Sequence, residues 1–247
     1  MSQSLQPQIW ARHPYFAFLQ QAERRDSSEK KFKGKELLFY VVIALLLLFA
    51  MLRNAFAKYF SDLFRVFFRT TLKQRQIRDQ LMQTPLPSLM FNFFFVASAG
   101  LYVSFLLYDY FHYRPVNNFW LLYLYVALAL AAVYFVKFLT LKLVGWLFNV
   151  RQAADSYIFV VFIINKVLGV FLLPFVVLQA FASEPLYSIA LILSWAGIAG
   201  LYLYRLYLGM AAARNEVRFN LFHFLLYVAA FEAAPLLLIY RLLIFRF

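Results

Sequence analysis

The chain has 247 residues, of which 64% are hydrophobic and 14% charged, and its formal net charge is +13. Soluble domains average about 45–50% apolar and about 25% charged residues, and no soluble fold of this size can bury such a surplus. A water-soluble domain is therefore excluded, and with no cysteine so are disulfides, thiolate metal sites and cysteine nucleophiles.

In chain order, residues 1–36 form a polar, basic N-terminal tail containing RR, KK and KGK. Such a tail is long for the n-region of a cleavable signal peptide. Its apolar cluster, "IWARHPYFAFL", suits docking at an interface, whereas residues 23–36 read as solvated. The rest of the chain, 37–247, reads as a transmembrane helical bundle.

A hydrocarbon core about 30 Å thick needs about 20 apolar residues per helix. Six runs qualify or nearly qualify: 37–52, 88–111, 117–140, 156–181, 185–208 and 219–243. None alternates as a barrel strand would. The expected fold is an all-α membrane protein, a bundle of about six transmembrane helices plus an interfacial amphipathic helix. No internal repeat of the inverted-transporter kind is visible.

The amphipathic helix is expected at 53–72. There Lys58, Asp62, Arg65 and Arg69 recur at i, i+4, i+7 and i+11, hence on one stripe, and aromatic residues cover the remainder. Such a helix lies on lipid headgroups or binds a partner. The blocks 73–87 and 209–218 read as polar connectors. Lys and Arg concentrate in alternate connectors, which points those connectors to the cytoplasm. The tail, equally basic, breaks the pattern if the first run crosses fully; a full crossing is the reading adopted.

The fourth run contains "IINKVLGVFLLP", with Asn165 and Lys166 deep in apolar sequence. A central Lys costs about 2.5–3.5 kcal/mol on insertion scales, so it faces the bundle interior and pairs. The sixth run supplies Glu232 at a depth differing by about 5 Å. Asn165, Lys166 and Glu232 are thus the expected intramembrane polar centre. One reading is a structural pair that sets helix register, since buried pairs add little net stability. The other is a proton- or substrate-binding pair. Pro174 and Pro235 are expected to kink the two helices near this centre.

Lys137, Arg205 and His223 fall near one boundary and form a candidate pocket for an anionic headgroup, with plain snorkelling as the alternative. Asp109 and His112 read as part of an aromatic belt rather than a metal site. Ala190, Ser194, Gly197 and Gly200 mark close helix packing. Phosphate-loop, zinc-protease, serine-hydrolase and CxxC motifs are absent from the sequence. No catalytic residue, metal or cofactor is expected. The partners expected are membrane lipids, including anionic headgroups, and envelope proteins, with no nucleic acid.

"NKVLGVFLLP", "YRLYLG" and "FHFLLYVAAFEAAPLLLIYR" together resemble a family of polytopic inner-membrane proteins of Gram-negative bacteria classed as a domain of unknown function. The resemblance spans roughly residues 37–243. Its most characteristic part is the last helix, with Phe222, His223, Leu226, Tyr227, Glu232 and Pro235. It implies a six-helix bundle in a bacterial inner membrane and carries no activity with it. The functional expectation is a non-catalytic subunit or scaffold of a cell-envelope assembly. The alternative is a carrier for a lipid or small anion that uses the Lys–Glu pair.

Overall fold

The computed structural model describes residues 35–68, 81, 84–111, 118–147, 149 and 151–214. The chain divides into units 1–36 and 37–247, and of the first only the last two residues are among those described. Regular structure among the described residues is helical throughout.

Helix α1, Lys35–Ala55, is longer than the apolar run 37–52 because polar residues are accommodated at its ends. Glu36 sits in the first turn and Arg53 in the last, each at the end its charge favours. The Phe56 N–H bonds to Leu52 O at 3.0 Å and the Phe60 N–H to Phe56 O at 2.9 Å, so helical bonding carries across a break at Phe56. Beyond it lies α2, Ala57–Phe68, shorter than the expected 53–72. Its buried residues are Tyr59, Leu63 and Phe67, a single i, i+4, i+8 stripe, while Lys58, Ser61 and Arg65 are exposed.

Helix α3, Pro85–Phe105, begins three residues' length earlier than its apolar run, because proline is well placed at a first helical turn. It runs into a π-turn, Leu106–Tyr110, closed by the Phe111 N–H on Leu106 O at 2.9 Å. Helix α4, Phe119–Leu147, starts on Asn118, whose side-chain oxygen accepts the Trp120 N–H at 3.0 Å. It continues past the expected end at 140. Helix α5 is Arg151–Phe181 and α6 is Leu186–Arg214. The connector expected at 209–218 is thus helical as far as Arg214, in keeping with the high helix propensity of its three alanines. Among the described residues, five helices are long and apolar enough to cross a membrane: α1, α3 with its π-turn, α4, α5 and α6. The protein is a multi-pass all-α membrane protein, and the expected run 219–243 lies outside the described residues.

Ring contacts and hydrogen bonds give the helix directions. Phe105–Phe119 and Phe95–Tyr134, at 5.3 and 5.2 Å, make α3 and α4 antiparallel. Lys142 Nζ, 2.6 Å from Asp155 Oδ1, ties α4 to α5 beside the turn at Asn149, whose φ of 55° is a left-handed conformation that asparagine tolerates. Phe39–Phe181 at 6.2 Å and Phe49–Phe94 at 5.6 Å run α1 along the bundle from the C-terminal end of α5 towards the start of α3. By length and composition α1 is able to cross a membrane.

Helices α3 and α5 form the centre. Their most apolar windows are each 56% buried, against 6% for α4. They touch closely because Gly169 faces α3: a Cβ there would lie 2.8 Å from Phe95 Cα. Ala190 and Ser194 are buried, and Gly197 lies beneath the Phe171 ring; at Gly200 no atom of the described residues lies within 4 Å of where a Cβ would be. Among the described residues, three of the four small residues therefore pack as expected. The α2 end of the bundle carries Arg53, Lys58, Arg65, Lys142 and Arg151 together with Asp62 and Asp155, and Asp109 and Glu184 lie toward the opposite end.

Candidate functional site

Lys166 lies on the inner face of α5 and is 3% exposed; its neighbour Asn165 is 2% exposed. Side chains on a helix lean toward its N-terminus, which carries Nζ toward the beginning of α3. There Nζ donates to Tyr59 Oη and to Ser88 Oγ, each at 2.7 Å. It also lies 5.4 Å from the centre of the Tyr59 ring. Tyr59 stacks on Phe91 at 5.6 Å, and Phe60 flanks Phe91 at 6.1 Å. One nitrogen thus joins α2, α3 and α5 inside an aromatic wall.

Among the described residues, both hydrogen-bond partners of Nζ are neutral hydroxyls. Burial pushes the Tyr59 phenol above its ordinary value, with the nearby Ser88 hydroxyl acting the other way, so the phenol keeps its proton at neutral pH. Tyr59 is buried in the α2 stripe, but Ser88 is only half-buried, at the rim of the site. Its neighbours Leu86 and Leu89 are 61% and 63% exposed.

A second polar contact lies toward the other end. Tyr102 Oη and Ser194 Oγ are 2.6 Å apart, and Ser194 gives its own proton to Leu191 O at 2.8 Å. Tyr102 is therefore the donor, and the pair links α3 to α6.

Among the residues singled out from sequence, Asn165 and Lys166 are adjacent and buried as expected. Their proposed partner Glu232, with Pro235, His223 and Arg69, lies outside the described residues. Helix α5 runs through Pro174 without ending. Lys137 sits 6.0 Å from the Tyr157 ring, and buried Arg205 sits 5.6 Å from the Tyr202 ring. On α2, Arg65 approaches Asp62 at 4.0 Å with Lys58 exposed nearby. His112 is outside the described residues, and Asp109 is in the π-turn.

Two members of the site were not recognised in the sequence. Tyr59 counted only as one aromatic among many on α2; its signal is that it alone in the buried stripe Tyr59, Leu63, Phe67 carries a hydroxyl. Ser88, in "PLPSLM", is separated from Lys166 by 78 positions, so no local spacing joins them.

Residues 38–243 match the family described as Domain of unknown function (DUF4271). The chain belongs to this family. The expectation of an uncharacterised polytopic domain family holds, over nearly the stretch read from the sequence. The DUF4271 match takes in Tyr59, Ser88 and Lys166, and also Glu232. No curated protein and no solved structure matches the chain.

Proposed function

We propose that this DUF4271 protein is a membrane-embedded scaffold, a subunit of a cell-envelope assembly that presents the outer face of α2 to a protein partner. The observation that carries this reading is the junction at Lys166, where a single Nζ holds α2 against α3 and α5 through Tyr59 and Ser88. A second attachment is made by Tyr204 of α6, which donates to Phe67 O at 2.6 Å. A helix anchored at both ends keeps a defined outer surface, here Lys58, Ser61 and Arg65.

That surface suits the headgroup level, where cationic side chains meet anionic lipid and the polar parts of partner proteins. We take this end as the cytoplasmic one and the membrane as a bacterial inner membrane, a reading supported by the Lys and Arg at this end. The carrier reading is less well supported, because Nζ of Lys166 is already bonded to two hydroxyls of the protein and a carried anion would have to displace them.

The test is site-specific photo-crosslinking in cells. A crosslinker at outward Ser61 is expected to trap a discrete protein adduct, and one at inward Leu63 to react within the chain. The adduct should vanish in Lys166→Met at equal abundance. Crosslinking at Ser61 to lipid alone would remove the scaffold reading.

A further inference from the structure

We propose that Ser88 and Lys166 form a nucleophile–base pair that accepts an acyl group from a lipid-type ester. This goes beyond the scaffold reading and does not depend on it. Serine–lysine pairs belong to the nucleophile–base sets used for acyl transfer. Their geometric requirement is a hydroxyl within hydrogen-bond reach of an amine that a third group holds in place. Ser88 Oγ lies 2.7 Å from Lys166 Nζ, and Tyr59 Oη holds the same nitrogen at 2.7 Å.

The accessibility of the two groups fits their roles. Lys166 is buried behind the site, while Ser88 stands half-buried at its edge. Leu86, Leu89 and Phe93 of α3 are 61%, 63% and 62% exposed and form the outer, lipid-facing side of the helix, about 100–160° around it from Ser88. Ser88 stands in the first turn of this membrane-length helix, at the level where the esters at hand are those of amphiphiles. Pro85 and Pro87 have no N–H, and Ser88 N–H is bonded to Thr84 O at 3.4 Å. Leu86, at the second position of α3, lies beyond the reach of its own helix's carbonyls, and its N–H is the donor this proposal assigns to a developing oxyanion.

The reaction balances without a cofactor. The Ser88 O–H bond breaks and its proton passes to Lys166 Nζ in its neutral form as Oγ bonds to the carbonyl carbon. Collapse breaks the ester C–O bond, and the departing alkoxide takes the proton from Nζ. Water at the headgroup level then attacks acyl-Ser88, giving one proton to Nζ. The carboxylic acid leaves as the Ser88 hydroxyl is restored.

The test treats purified full-length protein in lipid nanodiscs with an alkyl fluorophosphonate, which phosphonylates activated serines and releases fluoride. The expected result is one phosphonyl adduct, located to Ser88 by peptide mass spectrometry and absent in Ser88→Ala. Lys166→Arg keeps the positive charge but supplies no base at neutral pH; its labelling rate should fall by at least about 100-fold, the scale of general-base assistance. Absence of an adduct on Ser88 in the folded wild-type protein overturns the proposal, as does labelling at an unchanged rate in Lys166→Arg. Loss of the Ser61 crosslink with labelling intact would remove the scaffold reading alone.

Discussion

Ser98 Oγ donates to the carbonyl of Gly169 at 3.1 Å, so a hydroxyl on α3 bonds directly to the backbone of α5. Contact this close needs a residue without a side chain on the facing helix. A Cβ at Gly169 would meet Phe95 Cα at 2.8 Å and Phe95 Cβ at 3.1 Å. Neither atom is the end of a flexible side chain, so the helices themselves would have to part. Gly169→Ala is expected to lower stability by about 1–3 kcal/mol, outweighing the gain of about 0.5–1 kcal/mol from helix propensity. Thermal unfolding in detergent, followed by loss of the monodisperse chromatographic peak, checks this.

Gly200 gives the opposite expectation. It lies inside α6, and among the described residues nothing stands within 4 Å of where its Cβ would be. Gly200→Ala should therefore stabilise the protein by up to about 1 kcal/mol. A fall in melting temperature would mean that another chain or helix packs on that spot.

Tyr59→Phe removes an acceptor from Lys166 while leaving the ring on Phe91. A hydrogen bond contributes about 0.5–1.5 kcal/mol net, and a loss of that order is expected. The pH dependence has a definite sign. The folded-state phenol is raised above the ordinary 10.0, so the folded state holds a proton that the unfolded state releases. Its contribution is fully present below pH 10.0 and is lost as pH rises through the folded value. Melting temperatures measured between neutral and strongly alkaline pH should fall less steeply for Tyr59→Phe than for the wild type.

The expected pairing of Lys166 with Glu232 yields a double-mutant prediction. If the two side chains satisfy each other, Lys166→Met and Glu232→Gln should each lower the amount of folded protein in the membrane, since breaking a buried pair costs about 3–5 kcal/mol. The combined change should then recover much of that loss. Strictly additive losses in a quantitative blot of the membrane fraction would mean that the hydroxyls of Tyr59 and Ser88, and not Glu232, satisfy the lysine.

Much of the architecture was legible in the residue order because it depends on one-dimensional quantities. A run of apolar residues long enough to cross hydrocarbon must be a helix, since only a helix satisfies its own backbone there. The boundaries moved outward at Leu147 and Arg214 because apolarity marks where lipid lies, while helical hydrogen bonding continues past it into polar sequence. The burial of Asn165 and Lys166 was legible for the same reason: a polar pair inside an apolar run must turn toward protein.

Membrane class, helical fold and the deep lysine were therefore determined by the sequence alone, because each follows from composition or from the apolar run around it. The tertiary structure decided what the lysine touches. Tyr59, Ser88 and Lys166 stand 107 and 78 positions apart in the pairs they make, and no periodicity relates them. Their meeting depends on α2 burying its Tyr59 face in the bundle and on the glycine that lets α3 and α5 close together, and both are properties of helices packed in three dimensions.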